Sequence, residues 1–119
     1  MADPNCIFCK IARGEIPAKK LFEDDDVMAF HDIRPQAPVH FLLVPKEHLA
    51  TLYEAQPAHQ QALGKMLAVA GRLAREAGAG EGFRTIINTG RVGHQEVYHV
   101  HMHVLGGPEP LGPMLQRRK

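Results

Sequence analysis

Three histidines, His99, His101 and His103, alternate with single apolar residues in the stretch "YHVHMHVLGG" at positions 98–107. On an extended strand successive side chains point to opposite faces, so this spacing sets the three rings on one face, about 7 Å apart. Val100, Met102 and Val104 take the other face, where they can pack into a core. A buried imidazole costs desolvation unless it finds a partner, so three in register argue for a task rather than an accident. Two chemistries suit them. Alternating histidines can ligate zinc. Alternatively, a neutral imidazole, abundant near pH 7, attacks phosphorus and leaves again readily, provided its second nitrogen is held so that the tautomer is fixed. Neighbouring histidines can supply that hold and assist a departing group.

Other residues able to do chemistry are scattered along the chain. Cys6 and Cys9 in "CIFC" have knuckle spacing, but two thiols are half of a zinc site, and the setting is wrong for a thioredoxin-like redox pair. Asp32, directly after the apolar "VMAFH", can accept from a diol or cap a turn. Asn88, closing another apolar run, offers an uncharged donor to an anion and is equally a turn residue. The loop "GRVGHQ" is flanked by glycines whose amides can approach phosphate oxygens. His59, in the polar "PAHQQ", is expected to be exposed.

These residues need a frame. "CIFCKIARGEIP" reads as a short helix or turn closed by Gly14 and Pro17. "KKLFEDDDVMAFHD" reads as two strands joined by an aspartate turn over residues 24–26, and "RPQAPVH" as a loop. "FLLVP" is a short, bounded apolar run, which predicts a strand buried on both faces. Leu63, Met66, Leu67, Ala70, Leu73, Ala74 and Ala77 recur at three- and four-residue steps, predicting a core helix with Pro57 near its start and "GAG" (78–80) as its cap. "FRTIINT" and "YHVHMHVL" complete five strands, the last stopped by Gly106 and Gly107. Strands, helix and strands with short links favour an antiparallel sheet with helices segregated to one face, an α+β domain.

Length and composition agree with that frame. The chain has 119 residues, 45% of them hydrophobic and 23% charged, which suits one globular domain over 1–119. Fourteen basic and thirteen acidic side chains leave a net charge of +1, which points to neither a nucleic-acid surface nor an anionic membrane. The basic tail "QRRK" is expected to be a solvated end. No apolar run approaches the roughly 20 residues that span a bilayer, and no secretory leader is evident, so a cytoplasmic location is expected.

"HVHMHVL" matches the alternating histidine signature of the histidine triad (HIT) family. The likeness extends over nearly the whole chain: "CIFCKIARGEIPAKKLFEDDDVMAFHDIRPQAPVHFLLVPKEHL" resembles the N-terminal half of its Hint branch, the histidine-triad nucleotide-binding proteins. "INTG" and "HQEVYHVHMHVLGGPEPLGPML" resemble the bacterial form of the C-terminal half. The resemblance implies an α+β HIT-like fold of about five antiparallel strands with one long and one short helix, the sheet continuing across a homodimer. It implies hydrolysis of purine nucleoside 5′-phosphoramidates through a covalent nucleotidyl-histidine. His101 would be the nucleophile, His103 would contact the phosphate and assist the leaving group, and His99 and His40 would orient the site. Asp32 would take the ribose hydroxyls, while Ile33, Phe30, His31, Ile7 and Phe8 would enclose the purine. Asn88, Gln95 and the loop with His94, Glu96 and Val97 would face the phosphate. No cofactor is implied for catalysis. Some bacterial members with the cysteine pair bind structural zinc, which would add His48 and His99 to Cys6 and Cys9.

Two departures stand out. The human-type loop ends Gly-Gln-Ser, where this chain has His94, Gln95 and Glu96. An ionised Glu96 cannot donate to phosphate, so only its backbone amide carries over, and His94 either narrows the loop's conformations or adds a phosphate contact. Three other readings compete with the phosphoramidase. They are a dinucleoside polyphosphate hydrolase or nucleotidyl transferase, a nucleotide-binding regulatory module with vestigial activity, and a histidine-only catalytic zinc site.

Overall fold

The strand Val39–Pro45 is buried along its whole length, and its neighbours explain why. In the computed structural model, which describes residues 3–115, it is β3, the centre of a five-stranded antiparallel sheet. The others are β1 (Lys20–Glu23), β2 (Val27–His31), β4 (Phe83–Ile87) and β5 (Met102–Gly106), in the order β1-β2-β3-β5-β4. Helix α1 spans Ile7–Ala12 and helix α2 spans Gln60–Ala77. The tail "QRRK" lies outside the described residues.

Alternation along β2 and β3 splits the interior in two. Val27, Ala29, Phe41 and Leu43 face α2, joined by Met102 and Val104 of β5. Met28, Phe30, Leu42 and Val44 face the other way, against Phe8, Cys9 and Ile11 of α1. The helices therefore cover opposite faces, whereas segregation to one face was expected. A continuous apolar strand needs cover on both sides, and α1 supplies the second.

Helix α2 buries Met66, Ala70, Leu73 and Ala74, as its spacing predicts, and ends at Gly78 with φ 110°. Leu67 was expected in that stripe but is 62% exposed. Lys65 ties the helix to the β1–β2 turn, reaching Asp24 at 2.8 Å and Asp26 at 2.7 Å. That ammonium holds the Asp24 carboxyl well down, to about 2. His59 does not hang free: it caps the turn before α2, its Nδ1 accepting from the Gln56 amide at 2.8 Å.

Strand β5 is shorter than expected. Residues 98–101 lie outside it, and the Val100 amide donates to the Leu49 carbonyl at 2.7 Å instead of to a neighbouring strand. His99 and His101 thus hang from a segment pinned to the approach to α2, and only His103 sits in the sheet, opposite Leu42. Strand β4 forms one edge of the sheet. Among the described residues no helix is long and apolar enough to cross a membrane.

Candidate active site and metal cluster

On the face covered by α1, a cleft of about 1080 Å³ opens beside the histidines. Its apolar end is built from Phe8 of α1 and Phe30 of β2, ring centroids 5.5 Å apart and edge to face. Ile7, His31 and Ile33 line the same end, Ile33 standing 92% exposed at the rim. Two apolar jaws around an aromatic floor suit a flat ring system. Ile16, Pro17, Ala18 and Lys19, together with Leu42, add walls that sequence reasoning missed. The link after α1 carries no motif, and only the fold brings it back beside β2, where the Lys19 carbonyl accepts from the His31 amide.

The hydrogen bonds of the histidines fix where their protons lie. His101 Nδ1 is 2.8 Å from the carbonyl of His99, which can only accept, so Nδ1 donates and Nε2 keeps its lone pair. His40 receives the amide of Gln36 on Nδ1 at 2.9 Å, so Nε2 carries its proton. That Nε2–H points to His103 Nδ1, 2.9 Å away, leaving His103 with its proton on Nε2. Burial lowers the pKa of both His40 and His103, which keeps them neutral. Two adjacent rings with centroids 5.2 Å apart therefore stand in opposite tautomers at the cleft, one with a lone pair on Nε2 and the other with a proton there. Gln36, whose amide sets this direction, gave no signal in the sequence because its backbone does the work.

Asp32 follows β2 and lines the cleft, with Oδ2 3.5 Å from His40 Nε2. Its Oδ1 accepts from the Arg34 amide at 2.7 Å, so it closes a turn and still presents a carboxylate oxygen. The turn-closing reading of this residue holds.

Asn88, His94 and Glu96 line the cleft too, as does Val97, which packs against the cluster around α1. Gln95 was expected on the phosphate side, but its side chain is buried in the loop: Oε1 accepts from the Gly90 amide at 2.9 Å, and Nε2 donates to the carbonyls of Ala50 and Val97. It braces the loop. Gly93 packs so closely that a Cβ would sit 2.5 Å from the Thr89 oxygen. His94 takes φ 62°, a left-handed conformation that costs a non-glycine residue about 1–2 kcal/mol, and its Nε2 lies 3.4 Å from Glu96.

Behind the triad, α1 carries a second constellation. Cys6 Sγ is 3.3 Å from His99 Nδ1, and Cys9 Sγ is 3.4 Å from His48 Nδ1 and 3.5 Å from His99 Nδ1. All four donor atoms lie within 4.8 Å of one another. Tetrahedral zinc with bonds of about 2.3 Å to sulfur and 2.0–2.1 Å to nitrogen sets these neighbours about 3.5 Å apart, so the spacing fits. The outer contacts fit as well. His99 Nε2 donates to the Pro45 carbonyl at 2.7 Å, freeing Nδ1 as a ligand, and His48 Nε2 faces Asp3 at 3.9 Å. Burial drives the His99 pKa down to about 4, leaving the neutral ring a metal needs. Phe8, edge-on to both His99 and His101, joins this cluster to the cleft.

Comparison with known proteins agrees with this geometry. Residues 13–109 match the family model described as HIT domain. Purine nucleoside phosphoramidase of Escherichia coli (strain K12) is 51% identical over 113 residues, 94% of each chain. A HIT family hydrolase from Clostridium thermocellum superimposes with a TM-score of 0.90 at 40% identity, over 97% of this chain and all of that one. A zinc-bound histidine triad family protein from Mycobacterium smegmatis does so at 0.77 and 32%, over 97% of this chain and 82% of that one. An antiparallel five-stranded sheet, rings aligned at a cleft and a domain-wide sequence match lead to one assignment: the chain belongs to the HIT domain family.

Proposed function

We propose that this chain is a purine nucleoside 5′-phosphoramidase that releases AMP or GMP from P–N linked amines. The observation that carries the reading is the pair of opposite tautomers at the cleft. The lone pair on His101 Nε2 forms a bond to the α-phosphorus, and the P–N bond breaks with its electrons on nitrogen. His103, a neutral donor, hydrogen-bonds the phosphate oxygen or the leaving nitrogen. Because the Gln36 amide occupies His40 Nδ1, the His40–His103 pair holds no spare proton, so the amine takes its proton from solvent water. A water molecule then attacks phosphorus and gives its proton to the hydroxide left in solvent, the P–His101 bond breaks with its electrons returning to Nε2, and the nucleotide leaves. Charge on the phosphorylated ring is eased by the His99 carbonyl at Nδ1. Asp32 receives the ribose hydroxyls, and Phe8, Phe30 and Ile33 hold the base.

Three further assignments belong to the same reading. Cys6, Cys9, His48 and His99 hold a zinc ion that is structural and takes no part in the reaction. Two copies pair along the free edge of β4, where Phe83 is exposed, into one continuous sheet. The expected mass in sedimentation is twice 13.2 kDa, and a monomer at micromolar concentration would refute the pairing. The protein works in the cytoplasm, where free thiols persist.

Side-by-side kinetics on adenosine 5′-phosphoramidate and diadenosine polyphosphate test the activity. The phosphoramidate is expected to be favoured in kcat/KM by at least ~100-fold, and preference for the dinucleotide would replace this reading with the polyphosphate hydrolase. Tight AMP binding without turnover of either would favour the regulatory module. Asp32→Ala should act mainly on KM, raising it ~10-fold or more, as loss of a ground-state contact does.

A further inference from the structure

A phosphoramidate has an amine half as well as a nucleotide half, and of residues 88–97 the cleft is lined by Asn88, His94, Glu96 and Val97. Lys19 is the one Lys or Arg among the described residues lining the cleft, and it sits at the purine end beside His31. Around His103 stand His40 and His101, with Asp32 3.5 Å from His40, and Asn88, His94 and Glu96 also line the cleft. Arg91, in the same loop, does not line the cleft. The part of the cleft around His103 thus carries two carboxylates, Asp32 and Glu96, and among the described residues no Lys or Arg of its own. Glu96 is close enough that its charge acts on the His103 ring, as does that of Asp32. Its side chain is mostly solvent-facing, and its partner is an imidazole, His94.

A carboxylate beside an anionic phosphate repels it, and no permanently charged side chain lining the cleft there offsets that repulsion. The substrate can. We infer that the preferred leaving amine carries a second, protonated amino group, as a diamine or polyamine does, and that Glu96 is the specificity-determining residue that receives it. The inference rests on the phosphoramidase reading and adds no chemical step: the distal ammonium stays intact while the P–N bond is cleaved.

Adenosine 5′-phosphoramidates of 1,4-diaminobutane, pentylamine and 4-aminobutanoate offer a cationic, a neutral and an anionic arm of similar length. At pH 8, where ordinary imidazoles are neutral, kcat/KM should fall in that order. Each step should be about 3- to 10-fold, the scale of one solvent-exposed charge pair. In E96Q the ratio of cationic to neutral substrate should collapse towards one, and E96K should favour the anionic arm. Raising the salt to 0.5 M should flatten the wild-type series too. A flat wild-type series at low salt, or a cationic preference that survives E96Q, overturns the inference and leaves the phosphoramidase standing. Absence of turnover on all three overturns the activity itself, and the inference with it.

Discussion

His101→Ala is expected to abolish turnover, with a loss of at least ~10⁴-fold in kcat, while the chain stays folded. The size follows from what is removed. Without Nε2 neither neighbouring ring can take over, because His103 presents a proton and His40 points its own Nε2–H at His103. His103→Ala should cost less, about 10²–10³-fold, since it deletes one hydrogen-bond donor to developing charge. Quenching a reaction with phosphorus-labelled substrate should trap label on His101 alone, located by mass spectrometry. Label elsewhere, or near-normal turnover in the alanine variant, would defeat the assignment. The fold should survive because His101 contributes one ring contact to Phe8, and Phe8 keeps Phe30 and His99.

The second large effect is expected at the sulfur cluster. Burial pushes the Cys6 thiol up, so an isolated thiolate there is unfavourable and a bound cation reverses the balance. Cys9→Ser should lower bound zinc, read by atomic emission, from about one per chain to below ~0.1. The same substitution should lower the melting temperature by about 10 °C, the shift that ~2 kcal/mol produces in a domain of this size. Chelation of the wild-type protein should reproduce the loss and zinc should restore it. A wild-type protein that purifies without metal and melts unchanged with chelator would reduce the cluster to two thiols and two histidines. Because His99 lends its ring to the cluster and its carbonyl to His101, weakened nucleotide binding should accompany metal loss.

Much of this was legible in the sequence, for identifiable reasons. The strand at residues 39–45 and the helix at 60–77 declare themselves because burial leaves a periodic apolar trace. The triad was legible as a row of rings, and the jaws of the cleft followed from the resemblance. What the sequence hid is whatever depends on backbone partners. β5 begins at Met102 rather than Tyr98 because Val100 bonds to Leu49, which no side-chain pattern encodes. Gln95 turned inward because three backbone groups of its surroundings needed a partner. Leu67 fits the helical period but falls at the edge of the buried arc, where the sheet no longer reaches it. The placement of α1 opposite α2 was available in principle, since "FLLVP" demands two covers and only one long helix was in sight.

The crowding at Gly93 gives the protein a natural place for diversification. With position 93 closed to any side chain, position 94 held to a left-handed φ and Gln95 locked inside, the segment can vary at 91, 92 and 96 without losing its shape. Paralogues could therefore trade one amine preference for another by editing these sites while the phosphorus chemistry stays untouched.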